Sequence, residues 1–293
     1  VNNPQFPLYI PSKGRADSRL TAKALDSMQV PYRLVIEEQE YKDYLEHVDK
    51  DKLLILDKKF QDEYDTCDDL GATRSKGPGA ARNFIWEHAI SEGHAWHWVM
   101  DDNIKSFRRW RDNKRIKCYD GTPFKAMEDF VLRYKNVAMA GPNYMFFVVD
   151  KWAKDYGPFT VNTRIYSCNL IRNDVPFRWR GRYNEDTDLS LQMLKAKWCT
   201  IQFNAFLQEK ANTQTVKGGN TQEFYAKEGT APKSAMQMRL HPDVSKMVWR
   251  YGRPHHHVNY NKFKKENRLI LKDDYVVKQG VNEYGMKLKT IRS

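Results

Sequence analysis

The sequence predicts an α/β fold in which a mostly parallel sheet is flanked by helices. Short apolar runs alternate with helix-period segments from residue 8 onward, and several of those runs end abruptly in polar or acidic residues. That alternation favours parallel strands joined by helices, with a ligand site at the strands' carboxyl ends. The 41% hydrophobic content of the 293 residues is enough for a sizeable core.

Leu8 to Ile10 reads as a buried strand that runs into the loop Pro11-Ser12-Lys13-Gly14-Arg15. Asp17 is placed to cap a helix carrying Leu20, Ala24 and Met28 at four-residue spacing. Pro31 precedes a second strand, Tyr32 to Ile36, closed by Glu37-Glu38, and a third, Leu53 to Leu56, is closed by Asp57. Residues 60–79, rich in Asp, Gly, Lys and Pro, read as a loop in which Gly77 and Gly79 permit close backbone approach to a ligand. The next helix aligns Ala80, Phe84 and His88, with Ala81, Ile85 and Ala89 beside them, so Arg82 and Asn83 fall in its first turn. The strand His97 to Met100 then delivers Asp101-Asp102-Asn103 to the same sheet edge. Met145 to Val149 is a further apolar run, and Arg164 to Ile171 mixes polar and apolar positions as a site-lining strand does. Glu185 to Trp198 reads as a helix with Leu189, Met193 and Ala196 inward and acids in its first turn, followed by a strand from Cys199 to Leu207. Beyond Gly218-Gly219 regularity fades into a basic, aromatic segment, partly helical around 243–251. The division expected is a catalytic domain over 1–215 and a basic extension over 216–293.

The net charge of +12 is unevenly placed. Residues 245–293 hold 12 Lys/Arg against 4 Asp/Glu, and residues 104–117 hold 7 against one. Two cationic segments on an otherwise near-neutral chain suit a polyanionic partner. Cys67, Cys118, Cys168 and Cys199 form no C-x-x-C pair, which argues against a zinc knuckle or a disulfide framework. No apolar run approaches the roughly 20 residues of a membrane span, and the N-terminus lacks a signal-peptide layout, so no membrane partner and an intracellular location are expected. Oligomeric state is not readable from the sequence.

The order Pro11 to Arg15, then Gly77-x-x-x-Ala81-Arg82-Asn83, then Asp101-Asp102-Asn103, then Glu185-Asp186-x-Asp188-Leu189 resembles the GT-A glycosyltransferases of the inverting family-2 type over roughly residues 7–210. More narrowly, the opening I-P-S-K-G-R and the ending from His241 through Trp249 to Val258 resemble the phage TET-associated glycosyltransferases. The resemblance implies a Rossmann-like GT-A fold, a UDP-sugar donor, a divalent metal such as Mn2+ or Mg2+, and hydroxymethylated DNA as acceptor. It also implies hexosyl transfer, with glucose the expected sugar, to 5-hydroxymethylcytosine or 5-hydroxymethyluracil in the cytoplasm of a phage-infected bacterium.

Carried onto this sequence, the resemblance makes Asp186 the general base and Glu185 its acceptor-positioning neighbour. Ordinary acidic capping of a helix N-terminus is the alternative. Pro11, Ser12, Arg15 and Glu37 match positions that hold base and ribose, and Arg74, Lys76, Arg82 and Asn83 are candidates for uracil or diphosphate, Arg82 alternatively for a structural ion pair. Asp101 and Asp102 are the expected nucleotide-sugar contacts. The family's third acid is replaced by Asn103, an uncharged ligand for a hard cation, so the metal contact is expected from Asp102 or Asn103. A late histidine often completes such a shell. In the run His255-His256-His257 the outer two share a side, which favours His255 or His257 over His256, unless the imidazoles line an acceptor groove beside Arg253. His88, His94, His97 and His241 read as structural. Lys105, Arg108, Arg109, Trp110, Arg111 and Arg253 are the candidate DNA contacts, because arginines neutralise phosphates while interleaved aromatics stack on bases. The rivals are a glycosyltransferase acting on a polysaccharide, lipid or protein, and a catalytically idle nucleic-acid-binding protein.

Overall fold

The first half of the chain builds β1 (Leu8–Pro11), α1 (Leu20–Ser27), β2 (Arg33–Ile36), α2 (Tyr41–Leu45), β3 (Leu53–Ile55), α3 (Lys58–Glu63), α4 (Gly79–Ser91) and β4 (Trp96–Met100). The computed structural model describes residues 2–70, 76–111, 113–148, 157–211, 231–250, 252–276 and 280–281. The strands pair in parallel in the order β3-β2-β1-β4. Their apolar runs are continuous because both faces are covered. Leu8, Ile10, Leu34, Ile36, Trp98 and Met100 enter one core, and the alternating Tyr9, Val35 and Val99 enter the other beneath α4.

The sheet continues through β5 (Ile104–Arg111), β6 (Lys114–Lys117), β7 (Val137–Tyr144), β8 (Phe159–Val161), β9 (Cys168–Arg172) and β10 (Cys199–Lys210), with α5 (Thr122–Val131) packed on one face. β9 lies antiparallel between β4 and β7, and β7 pairs in parallel with β10. Six strands, β3, β2, β1, β4, β7 and β10, therefore share one direction, giving the mostly parallel α/β sheet expected of a GT-A fold. The β5–β6 ribbon is antiparallel at the far edge. Small residues let β7 and β9 approach closely: a Cβ on Gly141 would run into the carbonyl oxygen of Cys168.

The acid-opened helix is α6 (Glu185–Lys195). After it come α7 (Ala231–Leu240), the hairpin β11 (Ser245–Arg250) with β12 (Arg253–Val258), and α8 (Asn261–Glu266). Leu191 and Leu194 of α6 pack with Val244 and Phe263, and the Asn267 amide donates to the carbonyls of Leu194 and Trp198 at 2.8 and 2.9 Å.

Four local expectations are corrected. α1 is entered through Arg19 in the left-handed region (φ 35), with no capping by Asp17. The loop expected from residue 60 begins as a helix, because Asp57 accepts from the Lys59 N–H and Phe60 packs edge-on against Phe84. The run at Met145 turns after its N–H has bonded the Gln208 carbonyl at 2.9 Å, and the strand is the preceding Val137–Tyr144. The stretch near 243–251 is strand rather than helix, since β11 finds a partner in β12 and Gly252 adopts φ 70 between them.

Candidate active site

A cleft of about 590 Å³ opens at the carboxyl edge of the sheet. The shared direction of β1, β2, β4, β7 and β10 brings Pro11, Glu37, Asp101, Tyr144 and Lys210 to it. The antiparallel β9 contributes residues that precede it, Arg164, Tyr166 and Ser167. The first turn of α6 closes the opposite side with Glu185 and Asp186.

Asp101 is held from two sides. Arg82 Nη2 donates to Oδ1 at 2.7 Å and Lys210 Nζ to Oδ2 at 2.6 Å. Burial alone would raise its pKa, but Lys210 and Arg82 hold the carboxyl well below the usual carboxylate range. Lys210 also donates to Ser167 Oγ at 2.8 Å. Burial would lower the pKa of its ammonium, but the charge and hydrogen bond of Asp101 together with Tyr144 and Asp186 outweigh burial and raise it. Asp102 pairs with Arg15 and accepts from Ser12 Oγ at 2.9 Å, yet burial still pushes its pKa up. Ser12 is itself fixed by the Tyr44 hydroxyl at 2.7 Å.

The three acids at the start of α6 have three different surroundings. Glu185 accepts from Arg82 Nη1 at 3.0 Å, while burial, against the pull of Arg82, and the neighbouring Asp186 push it up. Asp188 is buried with Arg180 at 3.0 Å and His241 at 2.7 Å. Asp186 faces the cleft, where among the described residues its Oδ1 accepts only from its own helix, the Thr187 N–H at 2.7 Å and the Thr187 hydroxyl at 3.5 Å. Asn184 makes this possible: it enters the helix at φ 55, a conformation asparagine tolerates well, and donates to the Lys233 carbonyl at 2.9 Å.

Residues 6–219 match the family described as "TET-Associated Glycosyltransferase". The chain belongs to this family. No curated protein shows significant similarity to it. This glycosyltransferase has no helix among the described residues long and apolar enough to cross a membrane.

Pro11, Ser12, Arg15, Glu37, Lys76, Arg82, Asp101, Asp102, Asn103, Glu185 and Asp186 all line the glycosyltransferase's cleft, as the motifs imply. Arg74 lies outside the described residues. Two assignments change. Asn83 does not line the cleft: its amide donates to the Trp179 carbonyl and accepts from the Trp179 N–H, both at 2.9 Å, pinning the segment against α4. Arg82 is a structural clamp, 4% exposed, with both Nη atoms committed to Asp101 and Glu185 and its plane 4.6 Å from the Trp179 ring. Motif reading missed Lys210 and Arg164. No break in an apolar run marks Lys210, because β10 carries Gln208 and Glu209 just before it.

The residues present do not fit the expected metal. Asp102 is engaged by Arg15 and Ser12 and Asp101 by Arg82 and Lys210; the Asn103 side-chain oxygen is the one of the three left without a partner among the described residues, and a single neutral oxygen does not make a cation site. His255 and His257 alternate away from His256 on β12 and do not line the cleft. His256 is the imidazole facing this side, 3.5 Å from Ser234 Oγ, and burial together with Lys233 and Arg164 pushes it down to about 4. Among the described residues no three His, Cys, Asp or Glu side chains converge to hold a metal ion. The other histidines are structural: His88 meets the Tyr9 hydroxyl at 2.9 Å, and His97 meets Asn173 at 2.6 Å.

The cationic segment after Asn103 is the β5–β6 ribbon, where Phe107 turns into the core. Arg108 is tied to Glu209 at 2.8 Å, and Trp110, opposite Arg115, stacks under its guanidinium. Lys105 and Arg111 are exposed, Arg109 is half-buried, and none of these residues lines the cleft. The ribbon reaches it indirectly. Arg115 donates to the Val148 carbonyl at 2.7 Å, beside exposed Phe146 and Phe147, which pack on cleft-lining Tyr144. Arg253 lies exposed on the β11–β12 hairpin.

Proposed function

We propose that this glycosyltransferase moves a hexose from a UDP-sugar to the hydroxymethyl group of a 5-hydroxymethylpyrimidine in DNA, with inversion at the anomeric carbon. The observation that carries the reading is Asp186. Of the three acids opening α6 it is the one with no ion-pair partner among the described residues, and it faces the same cleft as the strand end Asp101-Asp102. A base for hydroxyl attack needs a lone pair directed at the acceptor. Asp186 takes the hydroxymethyl proton as that oxygen bonds to the anomeric carbon, and the bond to the diphosphate oxygen breaks with its electron pair on the leaving group. Glu185, held by Arg82, keeps the helix start in place beside it. Pro11, Ser12, Arg15 and Glu37 form the wall suited to uridine.

DNA as acceptor is supported by the cationic β5–β6 ribbon and by the Phe146–Phe147–Tyr144 aromatics that connect it to the cleft, since exposed rings stack on unpaired bases. A base in a duplex must leave the stack to present its hydroxymethyl group in such a cleft. Incubation of hydroxymethylated DNA with a panel of UDP-sugars, followed by nucleoside mass spectrometry, is expected to show the mass gain of one hexose on the modified pyrimidine. No gain on any DNA with any donor would overturn the proposal. Donor hydrolysis without transfer to DNA would point to a polysaccharide, lipid or protein acceptor.

A further inference from the structure

We propose that Lys210 neutralises the donor's diphosphate in this cleft, in the position where related chemistry uses a divalent metal. The inference rests on the UDP-sugar reading. Among the cleft's carboxylates are Asp101, Asp102, Glu185 and Asp186, whose charge opposes a diphosphate. The cleft's cations are unequally available. Both Nη atoms of Arg82 are committed to acids and Arg15 is paired with Asp102. Lys210 donates to Asp101 and to Ser167, which leaves one of the three donors of its ammonium for a ligand, and its side chain stays 17% exposed to the cleft.

Its placement is fixed by the sheet. Lys210 ends β10, two residues beyond Gln208, which registers with Tyr144 at the end of β7, while the Asp101 N–H bonds the Ser167 carbonyl at 2.7 Å. Strand ends β4, β7 and β10 and the residues before β9 thus converge on one ammonium group. A divalent ion on Asp101 would have to displace Lys210 or lie against it, like charge on like. The alternative site at Asp102 is blocked by Arg15 in the same way. During transfer the anomeric carbon to β-phosphate oxygen bond breaks, the electron pair stays on that oxygen, and Lys210 keeps its proton while stabilising the new charge by a charge-assisted hydrogen bond.

The test is calorimetric binding of UDP to the full chain, once with EDTA and once with Mg2+ or Mn2+. Wild type is expected to bind equally under both conditions. Lys210→Met should weaken UDP roughly tenfold to a hundredfold in both, the loss of one hydrogen bond to a charged group, and Lys210→Arg should recover most of the affinity. Circular-dichroism melting establishes that the Met variant is folded. If it is not, the wild-type comparison still decides. Binding that requires the metal, or a folded Lys210→Met that binds like wild type, overturns the inference and leaves the UDP-sugar reading standing. No UDP binding under either condition overturns both.

Discussion

Arg82 joins the two halves of the cleft, so Arg82→Met is the most informative single perturbation of its architecture. Its guanidinium, 4% exposed, reaches Asp101 at 2.7 Å and Glu185 at 3.0 Å. Removing one partner of a buried charge pair costs about 3 to 5 kcal/mol, because the remaining charge stays buried without compensation. Asp101 retains Lys210, so the cost falls on Glu185, whose side chain is 14% exposed and therefore partly solvated. The lower end, about 3 kcal/mol, is the expected loss. At roughly 2 °C per kcal/mol for a chain of this size, the melting temperature should fall by about 6 °C.

The loss should depend on pH, with a sign that follows from Glu185. Its pKa is already raised in the folded state by burial and by Asp186, and Arg82 opposes that rise. A carboxyl raised on folding binds its proton more tightly in the folded state, so stability is greatest below the unfolded value and declines as pH rises through the folded one. Without Arg82 the rise is larger and so is the decline. Urea unfolding midpoints at pH 5 and pH 8 should therefore show a deficit that widens toward pH 8, and adding Glu185→Gln to the variant should restore most of it. A deficit under about 1 kcal/mol, the range of an exposed ion pair, or one equal at both pH values, would falsify the clamp.

Asp186→Asn should lower turnover by roughly 10²- to 10⁴-fold, the usual contribution of a general base, while UDP affinity measured by calorimetry stays within about twofold; retained turnover removes Asp186 from the mechanism. Asn83→Ala should cost about 2 to 3 kcal/mol in urea unfolding, since it strands the Trp179 N–H and carbonyl. A weakened UDP affinity at unchanged stability would instead restore Asn83 as a ligand contact. Replacing Lys105, Arg109 and Lys114 of the β5–β6 ribbon with Ala should reduce the salt dependence of duplex binding by roughly 0.9 in log–log slope for each DNA phosphate these side chains neutralise. Donor binding should not change, and an unaltered slope would move the DNA path off this ribbon.

The donor half of the cleft was readable because of how parallel strands are buried. Both faces of β1, β2 and β4 are covered, so their sequences stay apolar until the chain leaves the sheet, and the breaks at Ile10–Pro11, Ile36–Glu37 and Met100–Asp101 mark the ligand edge. The β11–β12 hairpin carries no such signal. Most of β11 is exposed, with Lys246, Met247, Trp249 and Arg250 all at the surface, so neither a period of two nor an apolar run announces it. Its strand character comes from a partner. The same limit applied within the site: residue types left Arg82 either a diphosphate contact or a structural ion pair, and could not name Asp101 and Glu185 as the two acids that take it up. Lys210 lies 109 residues from Asp101, a contact that only the order β4-β9-β7-β10 creates.

The division expected between residues 215 and 216 separates stretches of sequence but not the packing around α6. The His241 ring meets the buried Asp188 carboxylate at 2.7 Å, the Lys233 carbonyl receives the Asn184 amide, and Phe263 and Val244 cover Leu191 and Leu194. All of these contacts fall on the helix whose first turn presents Asp186. Burial would raise the pKa of Asp188, but His241 and Arg180 hold it below the usual carboxylate range, so the buried acid stays charged and the turn is anchored electrostatically as well as by packing. The segment beyond the family-matched region is therefore the support that aims the proposed base.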